Sequence, residues 1–286
     1  MKIFQHINSS TVYKIIIILL FIPILSFGGN DNYPVGGRQA GMAGCGLTQP
    51  DIWGSHHNQA TLGFLTQPEL GLFVENRFAL AEMSLQAGSF AYPTASGTFA
   101  VSLSHFGYEL YNESKVGLAF AKSFGSRFAT GIQIGYINTH FGDVYGNTGA
   151  PVAEIGFFAE PYKNLFIGAH VFNLTRSKIA DYNDERLPTI LRAGLGLRLS
   201  ERIFLATEAQ KDMNNPMLFR AGIEYLFMEQ LYIRTGVSTS PQANQISFGL
   251  GYKTKRIRAD IAFSTHQILG ISPHIGFVYL FNGKSS

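Results

Sequence analysis

The chain has 286 residues, of which 14% are charged and 13% aromatic, with a formal net charge of +3. An ordinary soluble domain carries about a quarter charged residues, and a bundle of membrane helices needs repeated apolar runs of about 20 residues; with a mean hydropathy of only +0.09, the chain fits neither. Low charge, many aromatics and balanced hydropathy fit strands that alternate apolar and polar side chains across a bilayer. Lys2 and Lys14 supply two of the three surplus charges and no basic stripe follows, so no nucleic-acid partner is expected. Cys45 is the only cysteine; it excludes an intramolecular disulfide and reads as a packed small side chain.

Residues 1–28 read as a cleaved signal peptide. Lys2 and Lys14 precede the apolar run Ile15–Leu25, and Ser26-Phe27-Gly28 supplies a small-x-small end. The run is about half of what a spanning helix needs. Export together with a barrel implies a bacterial outer membrane. Residues 29–66 are expected to form a hatch inside the barrel. Within them Pro34–Leu65 is rich in Gly and Ala and has neither helical nor strand period. A segment without a lipid side has no need to alternate.

From Glu69 the chain reads as fourteen strands separated by Gly, Pro, Asn, Asp or charged turns. They are expected near 69–77, 83–92, 97–108, 113–124, 127–140, 151–160, 164–174, 188–199, 202–211, 216–227, 230–238, 243–253, 256–265 and 273–281. The fold class is therefore all-β: a transmembrane antiparallel β-barrel over 67–281, with a tail at 282–286. Most segments have the length a tilted strand needs to cross the hydrocarbon layer. Ile246, Phe248, Leu250 and Tyr252 alternate with Ser247, Gly249, Gly251 and Lys253, and 188–199, 216–227 and 256–265 do the same. An Arg or Lys facing lipid at mid-depth costs about 2–4 kcal/mol. The charged face must point inward, which makes Arg192, Arg198, Arg220, Glu224, Arg234, Arg256, Arg258 and Asp260 candidate lumen-facing charges. They would line a solute path or pair with one another and with the hatch.

Two further patterns bear on the barrel. Even-numbered junctions are tight, as at Gly125-Ser126, Ser200-Glu201 and Thr254-Lys255. The longest connections, Phe141–Ala150, Thr175–Leu187 and His266–Ser272, fall on odd-numbered ones, as outer loops should. Glycines 117, 131, 135, 194, 196, 222, 236, 249 and 251 all share the inward parity. They either make room for a polypeptide inside or ease the curvature of the wall.

Gly36-Gly37-Arg38-Gln39-Ala40-Gly41-Met42-Ala43-Gly44 resembles the G-[AG]-R-x-x-[AG]-M-G-G/A start of mature FadL-like outer-membrane proteins, and of their PorV/PorQ branch in particular. Glu75-Asn76-Arg77-Phe78 and Ser272-Pro273-His274 are similar to that branch as well. The family's N-P-A-G-L element is here Asn58-Gln59-Ala60-Thr61-Leu62, with Pro and Gly replaced. The resemblance implies a fourteen-stranded barrel with a luminal hatch that uses Gly36, Gly37, Arg38, Gly41, Met42 and Asn58. It also implies a non-catalytic role as an accessory or docking component of type IX secretion, with secretion-system or surface proteins as partners beside the outer-membrane lipid. The alternative is a FadL-like passive transporter of hydrophobic or small solutes, with a small hydrophobic ligand. Short outer loops favour docking over transport.

No cofactor, metal or catalytic centre is expected. His56-His57 lacks flanking ligands. Ser264-Thr265-His266 places Ser and His at one strand end without a shared substrate position. Gly36, Gly37 and Gly41 lack the Gly-Lys-Ser/Thr of a phosphate loop.

Overall fold

The computed structural model describes residues 34–142, 146–179, 186–213, 215–241 and 244–282. The signal-peptide reading of 1–28, residues 29–33 and most of the 282–286 tail lie outside the described residues.

Fourteen strands close into one antiparallel barrel, each paired with its chain neighbours and the first with the last. They are β1 (Glu69–Asn76), β2 (Ser84–Thr94), β3 (Gly97–Tyr108), β4 (Tyr111–Ser123), β5 (Phe128–Phe141), β6 (Gly146–Tyr162) and β7 (Leu165–Phe172). The second half comprises β8 (Ile190–Arg198), β9 (Ile203–Asp212), β10 (Leu218–Met228), β11 (Leu231–Thr239), β12 (Asn244–Lys253), β13 (Ile257–His266) and β14 (Gly270–Leu280). Closure pairs Glu69 with Leu280 and Glu75 with His274, so no strand edge is left without a ladder partner.

The period of two is realised in the burial. On β1, Leu70, Leu72 and Val74 are exposed on the outside, while Glu69, Gly71, Phe73 and Glu75 are buried within. On β12, Ile246, Phe248, Leu250 and Tyr252 face out and Ser247, Gly249 and Gly251 face in. The barrel thus wears its apolar face outward. A water-soluble sandwich would bury that face between two sheets; here only lipid can cover it.

The connections differ from expectation in two places. β6 begins at Gly146 and β14 at Gly270, so the loops expected at Phe141–Ala150 and His266–Ser272 shrink to 142–145 and 267–269. Asn147–Ala150 pair with Ile137–His140 through the backbone. The ladder, not side-chain alternation, extends the strand there, so polar sequence concealed it. Only 77–83 and 173–189 remain long at the odd-numbered junctions.

The chain enters β1 and leaves β14 at the same end, called here the near end. The Phe281 amide donates to the Pro68 carbonyl there at 2.9 Å. Before β1, the segment from Pro34 folds against the inner wall as α1 (Gly37–Gly41), α2 (Gly54–His57) and a 3-10 turn over Gln59–Phe64. Val35, Ile52, Trp53 and Leu62 pack with Phe73, Leu85 and Val278 of the wall in one apolar cluster. This packing holds helices of four or five residues that are far too short to persist alone.

Candidate functional site

The site is the interface between residues 34–66 and the inner wall, together with the cavity beside it. From Val35 to Leu62 nearly every residue is buried; Pro50 is exposed and Arg38 partly so.

Glycines set how closely the segment approaches. A Cβ built on Gly236 would lie 2.5 Å from the Met42 carbonyl carbon, and one on Gly222 would lie 2.7 Å from Met42 Cβ. Gly131 meets Gln59 at 2.5 Å, Gly196 meets Thr48 Oγ1 at 2.6 Å and Gly249 meets Gly41 Cα at 2.9 Å. Among the inward glycines singled out from sequence, these five make room for the segment. Gly117, Gly135, Gly194 and Gly251 are crowded first by the barrel's own atoms, Gly251 by the Arg234 guanidinium. Gly168 and Gly276, missed by the sequence reading, meet Leu47 O at 2.6 Å and Gly37 N at 2.8 Å. Both sit at inward positions on their strands, so parity alone would have found them.

Charged pairs then hold the segment. Arg38 donates from Nε and Nη2 to the two oxygens of Glu224 at 2.8 and 2.6 Å, and its Nη1 lies 3.5 Å from Asp51. Arg234 joins Glu224 at 2.7 Å to Asp260 at 2.7 Å. Glu208 accepts from the Gly46 and Leu47 amides at 2.6 and 2.7 Å and from Arg192 at 2.6 Å. The Val35 carbonyl accepts from His57 Nε2 at 2.8 Å. The proton is therefore on Nε2, leaving Nδ1 to accept from Arg192 at 3.3 Å. Asn58 donates to Leu47 O and Phe157 O at 2.8 and 2.9 Å and so ties the segment to itself and to β6. Buried charges persist in folded proteins when paired in this way.

The eight candidate charges separate by place. Arg192, Arg220, Glu224, Arg234, Arg258 and Asp260 are buried inside the barrel. Arg220 donates to Gln210 at 2.9 Å. Arg198 is exposed at the near end, with its guanidinium 5.8 Å above the Phe166 ring. Arg256 does not face the lumen: it is exposed in the turn before β13. Parity assigns a face only while the ladder continues, and the ladder stops at Arg258 and Lys253. The sequence reading also passed over Glu154, which pairs with Lys115 at 2.6 Å and accepts from Gln133 and Gln59 at 2.8 and 3.0 Å. Its inward parity on β6 was the available signal.

The other motifs resolve locally. His56 contacts Ser89 Oγ at 3.1 Å, and the described residues hold no cluster of three or more metal-ligating side chains. Ser264 contacts His274 Nε2 at 2.9 Å, while His266 accepts from the Ile268 and Leu269 amides in the next turn. Glu75 stands 4.0 Å from His274 and is held by Arg77 at 2.8 Å.

A cavity of about 520 Å³ lies at the near end. Its lining includes the aromatic Phe64, Phe158, Phe166 and Phe204, the cations Arg198, Lys253 and Arg258 and the acids Glu160, Glu201 and Glu224.

No protein-family model and no curated protein matches the sequence. Solved structures do match the fold. The toluene transporter TbuX of Ralstonia pickettii superposes with a TM-score of 0.70 at 12% identity, over 86% of this chain and 98% of that one. The CymD monoaromatic hydrocarbon channel gives 0.68 at 11%, over 89% and 99%. A FadL homologue of Pseudomonas aeruginosa gives 0.64 at 12%, over 87% and 99%. The chain has the fold of FadL-like outer-membrane barrels.

Proposed function

We propose that the protein is a non-catalytic outer-membrane conduit for small hydrophobic or amphipathic solutes, with residues 34–66 as its hatch. The near end faces the periplasm and residues 1–28 direct export. The observation that carries this reading is an apolar-walled barrel whose lumen is occupied by its own N-terminal segment, with a cavity left beside that segment at one mouth. Fold neighbours described as toluene transporters and a monoaromatic hydrocarbon channel support it. The test is toluene uptake into vesicles containing the purified protein. Uptake should exceed that of empty vesicles and rise further when residues 34–66 are deleted. Uptake equal to that of empty vesicles in both forms sinks the reading.

A second reading is a docking barrel of the PorV/PorQ kind, serving type IX secretion by binding secretion-system or surface proteins. Its support is the short connections at the near end and the ion pair and hydrogen bonds that fasten the segment to the wall. Purification from native membranes should then bring secretion components along; recovery of the barrel alone, with normal secretion in a deletion strain, rejects it.

A further inference from the structure

We propose that the near-end rim of β4, β5 and β6 binds the headgroup of an anionic phospholipid, where the turns at 124–127 and 163–164 come together. The proposal concerns the outer surface of the wall and holds whatever the lumen carries. The choice of phospholipid over lipopolysaccharide rests on the near end facing the periplasm.

Three cations carry the argument. Lys122 lies near the end of β4 on the outward side, in line with Val116 and Leu118, while Arg127 and Lys163 stand in the two turns. All three are exposed. Strand pairing gathers them. Lys122 is opposite Thr130, and Thr130 is opposite Phe157. The Glu160 amide donates to the Arg127 carbonyl at 2.7 Å, which sets the first turn against the end of β6 from which Lys163 follows. Among the described residues, none of the three side chains has an ion-pair or hydrogen-bond partner. The acid in this region does not cancel them: Glu160 is half-buried, lines the cavity and accepts from the Asn164 amide at 2.8 Å. The neighbouring turn at 95–96 carries no charge, and at the opposite end of β4 the turn carries an acid, Glu109.

Aromatic surface adjoins the cations. The Phe124 and Phe128 rings lie 5.7 Å apart, and those of Phe128 and Phe157 lie 4.7 Å apart. Phe124 is 55% exposed and Tyr162 is 74% exposed. These rings belong to the face that lipid covers, at the level where barrels carry an aromatic girdle. A lysine there is not costly, because its stem lies along apolar surface while its charge reaches the headgroups. Acyl chains would cover the rings and the phosphate would meet the cations. A zwitterionic headgroup brings its own cation and repels them in part; an anionic headgroup leaves its whole charge to them. A soluble anion would leave the rings uncovered.

The experiment is native mass spectrometry of the full-length protein, released from an uncharged detergent in the presence of two lipids at equal concentration. Against phosphatidylcholine, phosphatidylglycerol should be the first bound lipid at least about fivefold more often, the contribution of one basic side chain at an anionic surface. Replacing Lys122→Gln, Arg127→Gln and Lys163→Gln together should bring that ratio close to one. The single variant Lys122→Gln should roughly halve it and supplies the reading if the triple variant fails to fold. The triple variant Arg202→Gln, Lys255→Gln and Arg256→Gln, in exposed turns elsewhere on the same rim, should keep the preference. Equal occupancy by the two lipids in the parent protein overturns the proposal. So does an unchanged ratio in whichever Lys122 variant folds, and so does loss of the preference in the Arg202 variant alone. A preference for lipid A over phosphatidylglycerol overturns the phospholipid and the orientation, while toluene uptake still decides the conduit separately.

Discussion

Arg38 and Glu224 meet along a full guanidinium edge, Nε to Oε2 at 2.8 Å and Nη2 to Oε1 at 2.6 Å, across 186 residues of chain. This is the tightest side-chain link between α1 and the wall. Arg234 shares the same carboxylate at 2.7 Å. Glu224 therefore stands between a cation that belongs to the segment and one that belongs to the barrel.

Glu224→Gln should loosen the segment, because it leaves two guanidinium groups facing a neutral amide. Removing one partner of a buried pair costs about 3–5 kcal/mol. Arg38 keeps 16% of its side chain exposed, so water recovers part of that loss and about 2–3 kcal/mol is expected. Limited proteolysis of the folded barrel should cut within 34–66 faster in this variant. The pair Arg38→Met with Glu224→Gln should show coupling in a double-mutant cycle; strictly additive effects would contradict the direct link.

Gly236→Leu should destabilise the folded barrel by about 1–3 kcal/mol through overpacking against Met42. Gly88→Ala is the control, since its Cβ would meet nothing closer than 3.7 Å. The thermal midpoint of heat-modifiable migration on gels reads both. Deleting residues 34–66 should abolish the difference between Gly236→Leu and its parent. A penalty that survives the deletion would place the strain in the wall.

Ile134→Arg should impair insertion by about 2–4 kcal/mol, because Ile134 is 65% exposed midway along β5 on the lipid side. Folding into short-chain lipid vesicles, followed by urea titration, measures it. Wild-type-like folding would argue against a lipid-facing exterior.

Glu208→Gln should cost about 2–3 kcal/mol. The carboxylate takes the Gly46 and Leu47 amides and Arg192 together, and an amide in its place offers one acceptor oxygen and an unwanted donor. Hydrogen exchange at Gly46 and Leu47 should accelerate while the β9 ladder amides keep their protection. Unchanged exchange at those two amides would contradict the assignment.

Strand number and the facing of side chains were legible because lipid imposes a one-residue rule. Arg192 and Leu191 cannot exchange sides without placing a guanidinium in hydrocarbon. Where that constraint lapses, legibility lapses too: the polar Asn147–Ala150 reads as loop yet is paired in the ladder, and parity gives Arg256 a face it does not have. The segment from Pro34 is legible as a stretch with no period that suits a place inside the barrel, while its short helices owe their form to the wall they touch.

By itself, the sequence determined a closed fourteen-stranded barrel with charge and glycine inside and an apolar exterior, because alternation is a local property that the bilayer makes obligatory. Only the tertiary structure decided which glycines receive the segment and which charges pair. Those outcomes depend on register and closure, which bring Arg38 to Glu224 and Glu69 to Leu280, and no local pattern encodes contacts between residues so far apart.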